Sequence, residues 1–331
     1  MFIVQDYSLA VFFCVITMIC WGSWANTQKL SAATWRFELF YWDYVIGIVL
    51  FATLLALTLG SSGTEGRSFA EDLQQADRNN LISAFCGGII FNLANILLVA
   101  AIAIAGMSVA FPVGIGLALV IGVVVNYIQS PVGNALLLFS GVAFITLAIV
   151  LNSGAYRRMM AASKSVSAKG LLLSIVSGSL MGLFYKYVAA CMFPDFNVPE
   201  PGKLSPYSAV FIFSLGILVS NFIFNSLLMR FPFAGTRVSY SDYFSGSFRN
   251  HMTGVLGGAI WCLGMSFSII ASGKAGPAIS YGLGQGATVV AALWGIFVWK
   301  EFKGAPKGTA TMLNMMLLCF ALGLMLIILA R

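Results

Sequence analysis

The chain has 331 residues, of which 60% are apolar and only 9% are charged, and its mean hydropathy is +0.93. Because about a quarter of the residues in an ordinary soluble domain are charged, this composition excludes a soluble enzyme. A membrane crossing takes roughly 20 helical residues, so about ten crossings fit this length and leave no room for a sizeable soluble domain.

Ten apolar stretches, separated by charges and Gly/Pro clusters, predict ten transmembrane helices. The first stretch has no basic residue before it and no small-residue cleavage site after it, so we expect a retained helix and not a signal peptide. Long, continuously apolar stretches exclude the short alternating strands of a membrane β-barrel. The predicted fold class is all-α integral membrane, with helices at 7–28, 37–60, 80–104, 107–128, 132–152, 168–190, 207–229, 252–273, 276–299 and 308–330.

Lys and Arg predict the orientation, because cytoplasmic loops are enriched in them. The loops after odd-numbered helices hold 12 of the 18 basic residues, and seven of the 11 acidic residues lie on the other side. Both termini are therefore expected outside the cytoplasm, and the loop 153–167 inside it. The basic residues are spread over four loops, so the net charge of +7 indicates topology and predicts no nucleic-acid partner.

Two pairs of segments indicate an internal repeat. Segments 87–94 and 257–264, at an offset of 170, share a glycine pair, an isoleucine, an aromatic, a leucine and a small residue. Segments 113–118 and 281–286, at an offset of 168, share a Gly-aliphatic-Gly motif and a small residue. Two matches in the same order at nearly the same offset predict that helices 1–5 are repeated as helices 6–10.

An odd number of helices in each copy means that the second copy enters the membrane inverted. The predicted organisation is an N-terminal repeat 1–152, a cytoplasmic linker 153–167 and a C-terminal repeat 168–331. Inverted repeats are the architecture of secondary transporters, which bind solute near the midplane and alternate access by rocking. Small-xxx-small pairs also predict close helix contacts, at Gly178/Gly182, Gly254/Gly258 and Gly282/Gly286.

Two prolines occupy similar places in the two copies. Pro112 and Pro277 stand near the starts of helices 4 and 9. Each either breaks the helix backbone and frees carbonyl groups for a ligand or simply begins a helix.

The sequence shows none of the common signatures of an enzyme or a cofactor site. It has no Walker loop, no HExxH and no GxSxG, a single histidine, and six cysteines without metal-ligand spacing. No cofactor and no metal are therefore predicted, and active transport would use an ion gradient. The expected partners are a small polar solute, the lipid bilayer and a coupling ion that is a proton or sodium. The oligomeric state is left open between monomer and homodimer.

Several short motifs stand at helix ends and at glycine-rich positions: Cys20-Trp21-Gly22-Ser23-Trp24 with Lys29, Gly87-Gly88 with Asn92 and Asn95, Gly106-x-Ser108 with Pro112, and Trp299-Lys300-Glu301. Together they resemble the drug/metabolite transporter superfamily, and within it the branch of glucose/ribose and rhamnose porters and ureide permeases. Trp42-Asp43-Tyr44 in helix 2 looks most like the ureide permease pattern.

The resemblance implies a ten-helix carrier whose central cavity is lined by helices 1–4 and 6–9, with helices 5 and 10 at the periphery. Such relatives move sugars, ureides, nucleotide-sugars or amino acids by proton coupling or exchange. Many of them are drawn with cytoplasmic termini, whereas the charge count of this sequence places both termini outside.

Polar side chains within the predicted helices are candidates for solute binding. Asn92 and Asn95 are three residues apart and share one side of helix 3. An amide both donates and accepts hydrogen bonds, which suits a sugar hydroxyl or a ureide, although bonding between helices is the competing interpretation. Gln285 and Ser266 are further candidates of the same kind.

Aromatic side chains are candidates for the walls of a cavity, because flat rings stack on sugars and on planar solutes. Trp261 lies in the middle of helix 8 and Trp24 at the polar end of helix 1, and Tyr281 joins them near the start of helix 9. The competing interpretation of a tryptophan near a helix end is an interfacial belt.

Two charged residues within the predicted helices are candidates for coupling, since an intramembrane charge is costly unless it has a function or a partner. Asp43 either faces a cavity, where it binds a proton or a polar solute, or pairs with Arg36 or Lys29. Lys186 either snorkels to the interface or serves as a cavity charge or a counter-ion to Asp43. His251, at the start of helix 8, is expected to be a surface group.

The predicted function is secondary active transport, with proton-coupled uptake of a sugar or of a ureide- or nucleobase-like compound. A multidrug or metabolite exporter of the same superfamily is the alternative. A passive channel would need a continuous polar pore or a charged ring, and a membrane enzyme or lipid scramblase would need clustered reactive groups. Short loops without an N-glycosylation sequon favour the bacterial inner membrane.

Overall fold

The computed structural model describes residues 1–32, 34–63, 65–105, 107–159 and 167–331. Residues 160–166 of the predicted linker, including Lys164, and Gly106 of the motif above lie outside the described residues. Within the described ranges there are ten helices long and apolar enough to cross a membrane, and an isolated bridge is the only β-structure. The prediction of an all-α integral membrane protein is confirmed.

The ten membrane helices agree with the predicted stretches to within a few residues at most ends. The largest difference is at helix 5, which continues past residue 152 to Met159. The helices are α1 Tyr7–Leu30, α2 Phe37–Leu57, α3 Arg78–Ala105, α4 Pro112–Gln129, α5 Ala135–Met159, α6 Ala168–Ala190, α7 Pro206–Arg230, α8 Phe248–Ala275, α9 Pro277–Val298 and α10 Thr309–Leu329.

Two short helices lie in the loops that follow α2 and α7, at Phe69–Gln75 and Tyr240–Phe244. Each begins with a capping box, in which a serine and an acidic residue three positions later satisfy each other's backbone N–H groups. The second short helix carries a tyrosine, Tyr243, that reaches back to α2.

Helix α9 is interrupted at its centre. A first segment, Pro277–Gly284, ends in a turn at Gln285 and Gly286, and the helix resumes at Ala287. Pro277 begins the helix after Gly276, whose φ of +79° suits glycine, and so acts as a plain helix start. The backbone break of α9 therefore lies two turns after its proline.

Pro112 causes no break that separates two helices. It lies inside a continuous helix, Met107–Gln129, that extends α4 at its start. The expectation of a proline break thus fails at both sites, and the turn that interrupts α9 is marked in the sequence by Gln285-Gly286 instead.

Glycines set the closest helix contacts. A Cβ atom on Gly47 of α2 or Gly258 of α8 would lie 2.2 or 1.9 Å from a main-chain carbonyl oxygen of the other helix. On α3 and α7, Gly88 and Gly216 make the same kind of approach, each with a Cβ position 2.1 Å from a facing carbonyl oxygen. The predicted close contact at Gly258 is thus present, and α2–α8 and α3–α7 are two joints of similar geometry.

The other helix neighbours follow the same pattern. Helix α3 packs on α6 as α1 packs on α8, α4 packs on α6 as α1 packs on α9, and α5 packs on α10. Exchanging each helix for the one five places along the chain therefore leaves this set of neighbours unchanged.

The loops gather at two ends of the bundle. We call the end that holds both chain termini the terminal end. There the N-terminal amine donates to the Glu65 carbonyl, Gln5 donates to Asn197, and Tyr7 donates to the Ile328 carbonyl at 2.7 Å. At the opposite end, which we call the mouth end, Lys29 pairs with Glu301 at 3.2 Å, and Arg158 donates to the Lys307 carbonyl. The loops after odd-numbered helices, which carry most of the basic residues, are at the mouth end.

Candidate functional site

A cavity of about 810 Å³ opens at the mouth end and reaches the middle of the bundle. Its rim includes Lys29, Trp35 and Glu301, and its deepest lining residues include Phe184 and Trp261. Pockets that hold small molecules usually have volumes of about 300–1,000 Å³, so this cavity is large enough for a solute of drug or metabolite size.

Seven membrane helices and Phe37 of α2 form the lining. The expectation that helix 5 lies at the periphery is wrong at the mouth, because Ile149, Asn152, Ser153 and Tyr156 of α5 line the cavity. Among the described residues, α7 contributes none to the lining, although helix 7 was expected to contribute. The cause is that α3 lies between α7 and the cavity. Helix α7 packs, through Gly88, on the side of α3 that faces away from the cavity.

A chain of amide and hydroxyl groups orients Asn95. Asn92 Nδ2 donates to the Ile217 carbonyl at 3.3 Å and to Ser220 Oγ at 2.9 Å. Its Oδ1 therefore faces the Tyr41 hydroxyl, which donates to it at 2.9 Å. With its proton used, the Tyr41 oxygen accepts from Asn95 Nδ2 at 3.1 Å. Asn95 Oδ1 is left without a hydrogen-bond partner among the described residues, in a side chain that lines the cavity.

Gln285 enters the cavity because the break in α9 falls on it. Its main-chain N–H still closes the first helix segment on the Tyr281 carbonyl at 3.1 Å. Its side chain is 92% buried, lines the cavity and has no hydrogen-bond partner among the described residues. Asn95 and Gln285 thus present primary amides with polar atoms available to a solute, and Asn26, Gln28 and Asn152 add further amides to the lining.

Aromatic rings form one wall of the cavity. Trp21 and Trp261 are stacked with their ring centroids 6.0 Å apart and their planes 13° apart, and Phe91 packs on Trp261 at 4.4 Å. Trp24 lies against Tyr44 at 4.6 Å and adds its face near the mouth. The wall offers flat apolar faces beside the two amides, which suits a planar solute.

Formal charge occurs in the described lining only at the mouth, on Lys29 and Glu301. Lys29 pairs with Glu301 and lies 4.3 Å above the Trp299 ring. Tyr156 donates to Glu301 Oε2 at 2.6 Å, and Asn26 accepts from Trp299 Nε1 at 2.6 Å. The two charges compensate each other, and the deep part of the cavity is polar but uncharged.

The predicted binding residues separate into two groups. Asn95, Trp24, Trp261 and Gln285 line the cavity together. The other three predicted residues do not line it: Asn92, Tyr281 and Ser266. Asn92 acts behind the wall through Tyr41, and Ser266 borders a small crevice beside Tyr207.

An aromatic layer that includes Tyr281 closes the cavity from the terminal end. Tyr281 donates to main-chain carbonyls of α4 and α6 at 3.2 Å, and its ring packs edge-on against Tyr185 at 5.1 Å. The Tyr185 hydroxyl bonds the Ser268 and Ser280 hydroxyls at 3.1 and 3.4 Å. These fully buried rings lie between the deep end of the cavity and the terminal end.

The two predicted coupling residues are not in the lining. Lys186 is exposed on α6 near its terminal end and forms no ion pair among the described residues. It therefore is not the counter-ion of Asp43, whose side chain is 3% exposed and contacts His251 Nδ1 at 2.9 and 3.0 Å. Arg36 pairs with Glu38 and Lys29 with Glu301, so neither of the expected partners binds Asp43.

His251 is not the surface group that was expected. Its side chain is 23% exposed, and it is held between Asp43 and two rings: Trp35 at 5.2 Å and Tyr243 at 4.9 Å, both edge-on. Tyr243 also donates to Asp43 Oδ1 at 2.7 Å. Burial and the hydrogen bond to Asp43 raise the pKa of Tyr243, so this phenol keeps its proton at physiological pH.

Sequence patterns did not single out most of the lining as binding residues, and the missed residues include Trp21, Phe91, Asn152 and Tyr156. Trp21 and Phe91 stand beside the predicted Trp24 and Asn92, so the motif around them was a usable signal. No sequence signal indicated Asn152 and Tyr156 as lining residues, because helix 5 was expected to be peripheral.

Comparison with known proteins identifies the family. A family model described as "Ureide permease" matches residues 40–169 and 155–330. "Ureide permease 1" of Arabidopsis thaliana is 23% identical over 376 residues, covering 97% of this chain and 96% of that protein, and "Ureide permease 2" of the same plant is 22% identical with the same coverage.

A solved crystal structure superposes over 96% of this chain and 97% of its own with a TM-score of 0.62 and 14% identity, which shows a shared fold alone. The family match covers nearly the whole membrane bundle and the cavity within it. The chain is therefore a multi-pass membrane transporter of a small polar solute, not an enzyme, and it belongs to the ureide permease family.

Proposed function

We propose that this transporter carries a planar, uncharged solute of the ureide or nucleobase class. The observation that carries the proposal is the deep part of the cavity, where the Asn95 and Gln285 amides lie beside a wall of aromatic rings, whereas the charged residues of the described lining, Lys29 and Glu301, lie at the mouth. A ureide has N–H donors for Asn95 Oδ1, and both donors and acceptors for the Gln285 amide.

The same geometry favours a ureide over a sugar among the solutes predicted from the sequence. A sugar would also stack on one face of Trp261, but its many hydroxyl groups need more partners than Asn95 and Gln285, the amides beside the aromatic wall, provide. The names of the Arabidopsis relatives support the same class. The resemblance to glucose/ribose and rhamnose porters and to the wider superfamily stays a prediction about ancestry.

The proposed mechanism is alternating access between two inverted five-helix halves, 1–152 and 168–331. The two glycine joints, α2–α8 and α3–α7, support this division. Each joins a helix of one half to a helix of the other half, and the two joints correspond when each helix is exchanged for the one five places along the chain. The cavity open at the mouth end and the tyrosine layer at the terminal end then represent one of two end states.

We further propose that the mouth end faces the cytoplasm, because the loops at that end carry most of the basic residues. In that orientation the structure is inward-open, both termini are extracytoplasmic, and uptake is driven by a proton gradient. The bacterial inner membrane and the choice between monomer and homodimer stay predictions.

Thermal unfolding of the purified protein tests the solute class. The panel contains allantoin, uracil, xanthine, hexoses, deoxysugars and amino acids. A solute at 100 times its Kd adds about 2.7 kcal/mol to the free energy of unfolding, which raises Tm. We expect allantoin or a nucleobase to raise Tm in the wild type and not in Gln285→Leu.

The matched control is Asn126→Leu, because Asn126 is a buried amide on α4 outside the lining that donates to the Gly122 carbonyl at 2.8 Å. This variant should keep the solute-induced rise in Tm. A rise with hexoses alone would contradict the ureide proposal and select the sugar interpretation.

A further inference from the structure

Asp43, His251 and Tyr243 form a hydrogen-bonded cluster outside the cavity, which we call the mouth triad. It joins α2, the start of α8 and the short helix Tyr240–Phe244. From its geometry we infer that the mouth triad is the proton-binding site of the carrier and that His251 takes up the coupled proton. This inference rests on the proposed transport function.

The chemistry of the triad suits reversible binding of one proton. Tyr243 donates its hydroxyl proton to Asp43 Oδ1, and in neutral His251 the Nδ1–H donates to the same carboxylate. His251 Nε2 then has no hydrogen-bond donor among the described residues and is the free acceptor, and in this mouth-open state it exchanges a proton with water at the mouth end. Histidine is the side chain that changes charge between pH 5 and 8. Protonation takes the triad from a net charge of −1 to zero.

No other charge among the described residues faces the triad. On α2, Arg36 is engaged by Glu38 and by two carbonyl groups of the loop 231–239. On the short helix, Asp242 accepts from the Ser239 backbone and hydroxyl, and on α8 Arg249 is exposed. Arg230 and Arg237 stack on Phe231. The charge of the triad is therefore set by Asp43 and His251 alone.

The second glycine joint shows that helix packing does not require this charged pair. Gly47 and Gly258 correspond to Gly216 and Gly88, at offsets of 169 and 170. At the same offsets, Asp43 corresponds to Ile212 and His251 to Leu81, which are partly buried and pack on the core.

A buried ion pair is often no more stabilising than apolar residues of similar volume. The α3–α7 joint has two apolar residues, Ile212 and Leu81, at the corresponding positions. Helix packing therefore gives no reason for the pair of Asp43 and His251 at the α2–α8 joint. Its retention in a membrane helix points to a function.

The triad communicates with the cavity through Trp35. This ring packs edge-on against His251 at 5.2 Å, lies 6.3 Å from the Tyr243 ring with the two planes tilted by 31°, and lines the mouth of the cavity. Closing the mouth would remove the remaining water from His251. That step is cheaper for a neutral triad than for one with a net negative charge, so a bound proton favours the mouth-closed state, and release of the proton at the mouth end accompanies opening.

Nuclear magnetic resonance of the full-length protein tests proton binding without any solute. His251 is the one histidine of the chain, so isotope labelling of histidine gives a single imidazole signal. We expect this signal to change reversibly with pH, with the neutral form protonated at Nδ1. A signal that does not change with pH, or a neutral form protonated at Nε2, would overturn the inference.

Uptake into proteoliposomes tests coupling, with labelled allantoin and uracil as probes. A proton gradient should raise wild-type uptake by about five-fold or more, a typical size for coupling between two sites. In His251→Asn the amide nitrogen replaces Nδ1 but cannot bind a proton, so the acceleration should disappear. The control Asp242→Asn, on the same short helix, should keep the acceleration.

Two results separate the possible failures. Acceleration that survives in His251→Asn, or that is lost equally in Asp242→Asn, contradicts the proton site. A wild type that moves neither probe contradicts the proposed function instead, and the imidazole titration then decides on the proton site by itself.

Discussion

Hydrogen bonds made behind the cavity wall determine what the cavity offers to a solute. The Ile217 carbonyl can only accept, so it fixes the amide orientation of Asn92, then the hydroxyl direction of Tyr41 and finally the amide of Asn95. Asn95 therefore presents an acceptor to the cavity. Asn92 is a positioning residue, although it does not line the cavity.

Removal of Asn92 should therefore weaken solute binding without removing a solute contact. In Asn92→Leu the Tyr41 hydroxyl loses its acceptor and no longer fixes the Asn95 amide. A net hydrogen bond is worth about 1–1.5 kcal/mol, so the affinity should fall by about ten-fold, and by at least as much in Asn95→Leu. Titration of Tm against allantoin concentration measures both, and an unchanged affinity in Asn92→Leu would refute the positioning role.

The sequence places Asn92 and Asn95 on one side of a helix but cannot separate their roles. Three residues are offset by about 60° around the helix axis, which is enough for one amide to face α7 and the other the cavity. The pair of Asp43 and His251 joins residues 208 positions apart. No local pattern indicates such a contact, and both residues were assigned other partners or none.

At the scale of helices, hydrophobicity predicts the ten spans. The segment matches at offsets of 168 and 170 residues predict corresponding glycines in the two halves. The sequence does not predict where α9 is interrupted. Pro277 was the candidate site of a helix break, whereas the turn lies at Gln285-Gly286. The two capped helices in the loops are also missed, since each has seven residues or fewer and carries no amphipathic repeat.

The glycine joints predict a contrast between alanine substitutions. Gly258→Ala and Gly88→Ala place a methyl group about 2 Å from a main-chain carbonyl and should lower stability by about 1–3 kcal/mol or more. Gly116 on α4 has open space around its Cβ position, so Gly116→Ala should raise stability by about 0.5–1 kcal/mol. Thermal unfolding in detergent compares them, and equal Tm changes in all three would mean that the joints are not close-packed.

For the whole molecule, composition and charge predict a membrane protein with two groups of loops, the internal repeat predicts a carrier, and family membership supports the carrier. The cavity could not be drawn from the sequence, because its shape depends on which helices are neighbours and on which end is closed. The structure has an open mouth, a polar uncharged centre and a closed aromatic layer at the terminal end. A carrier needs all three features in one state.

The most direct test of this account is counterflow of labelled allantoin and of labelled uracil into proteoliposomes. Vesicles loaded with the unlabelled solute should take up label faster than empty vesicles, with saturation, because a carrier returns more quickly when it is loaded. This counterflow should be lost in Asn95→Leu and in Gln285→Leu and retained in Asn126→Leu. Flux that neither saturates nor depends on internal solute, or counterflow of hexoses in place of these probes, would contradict the account.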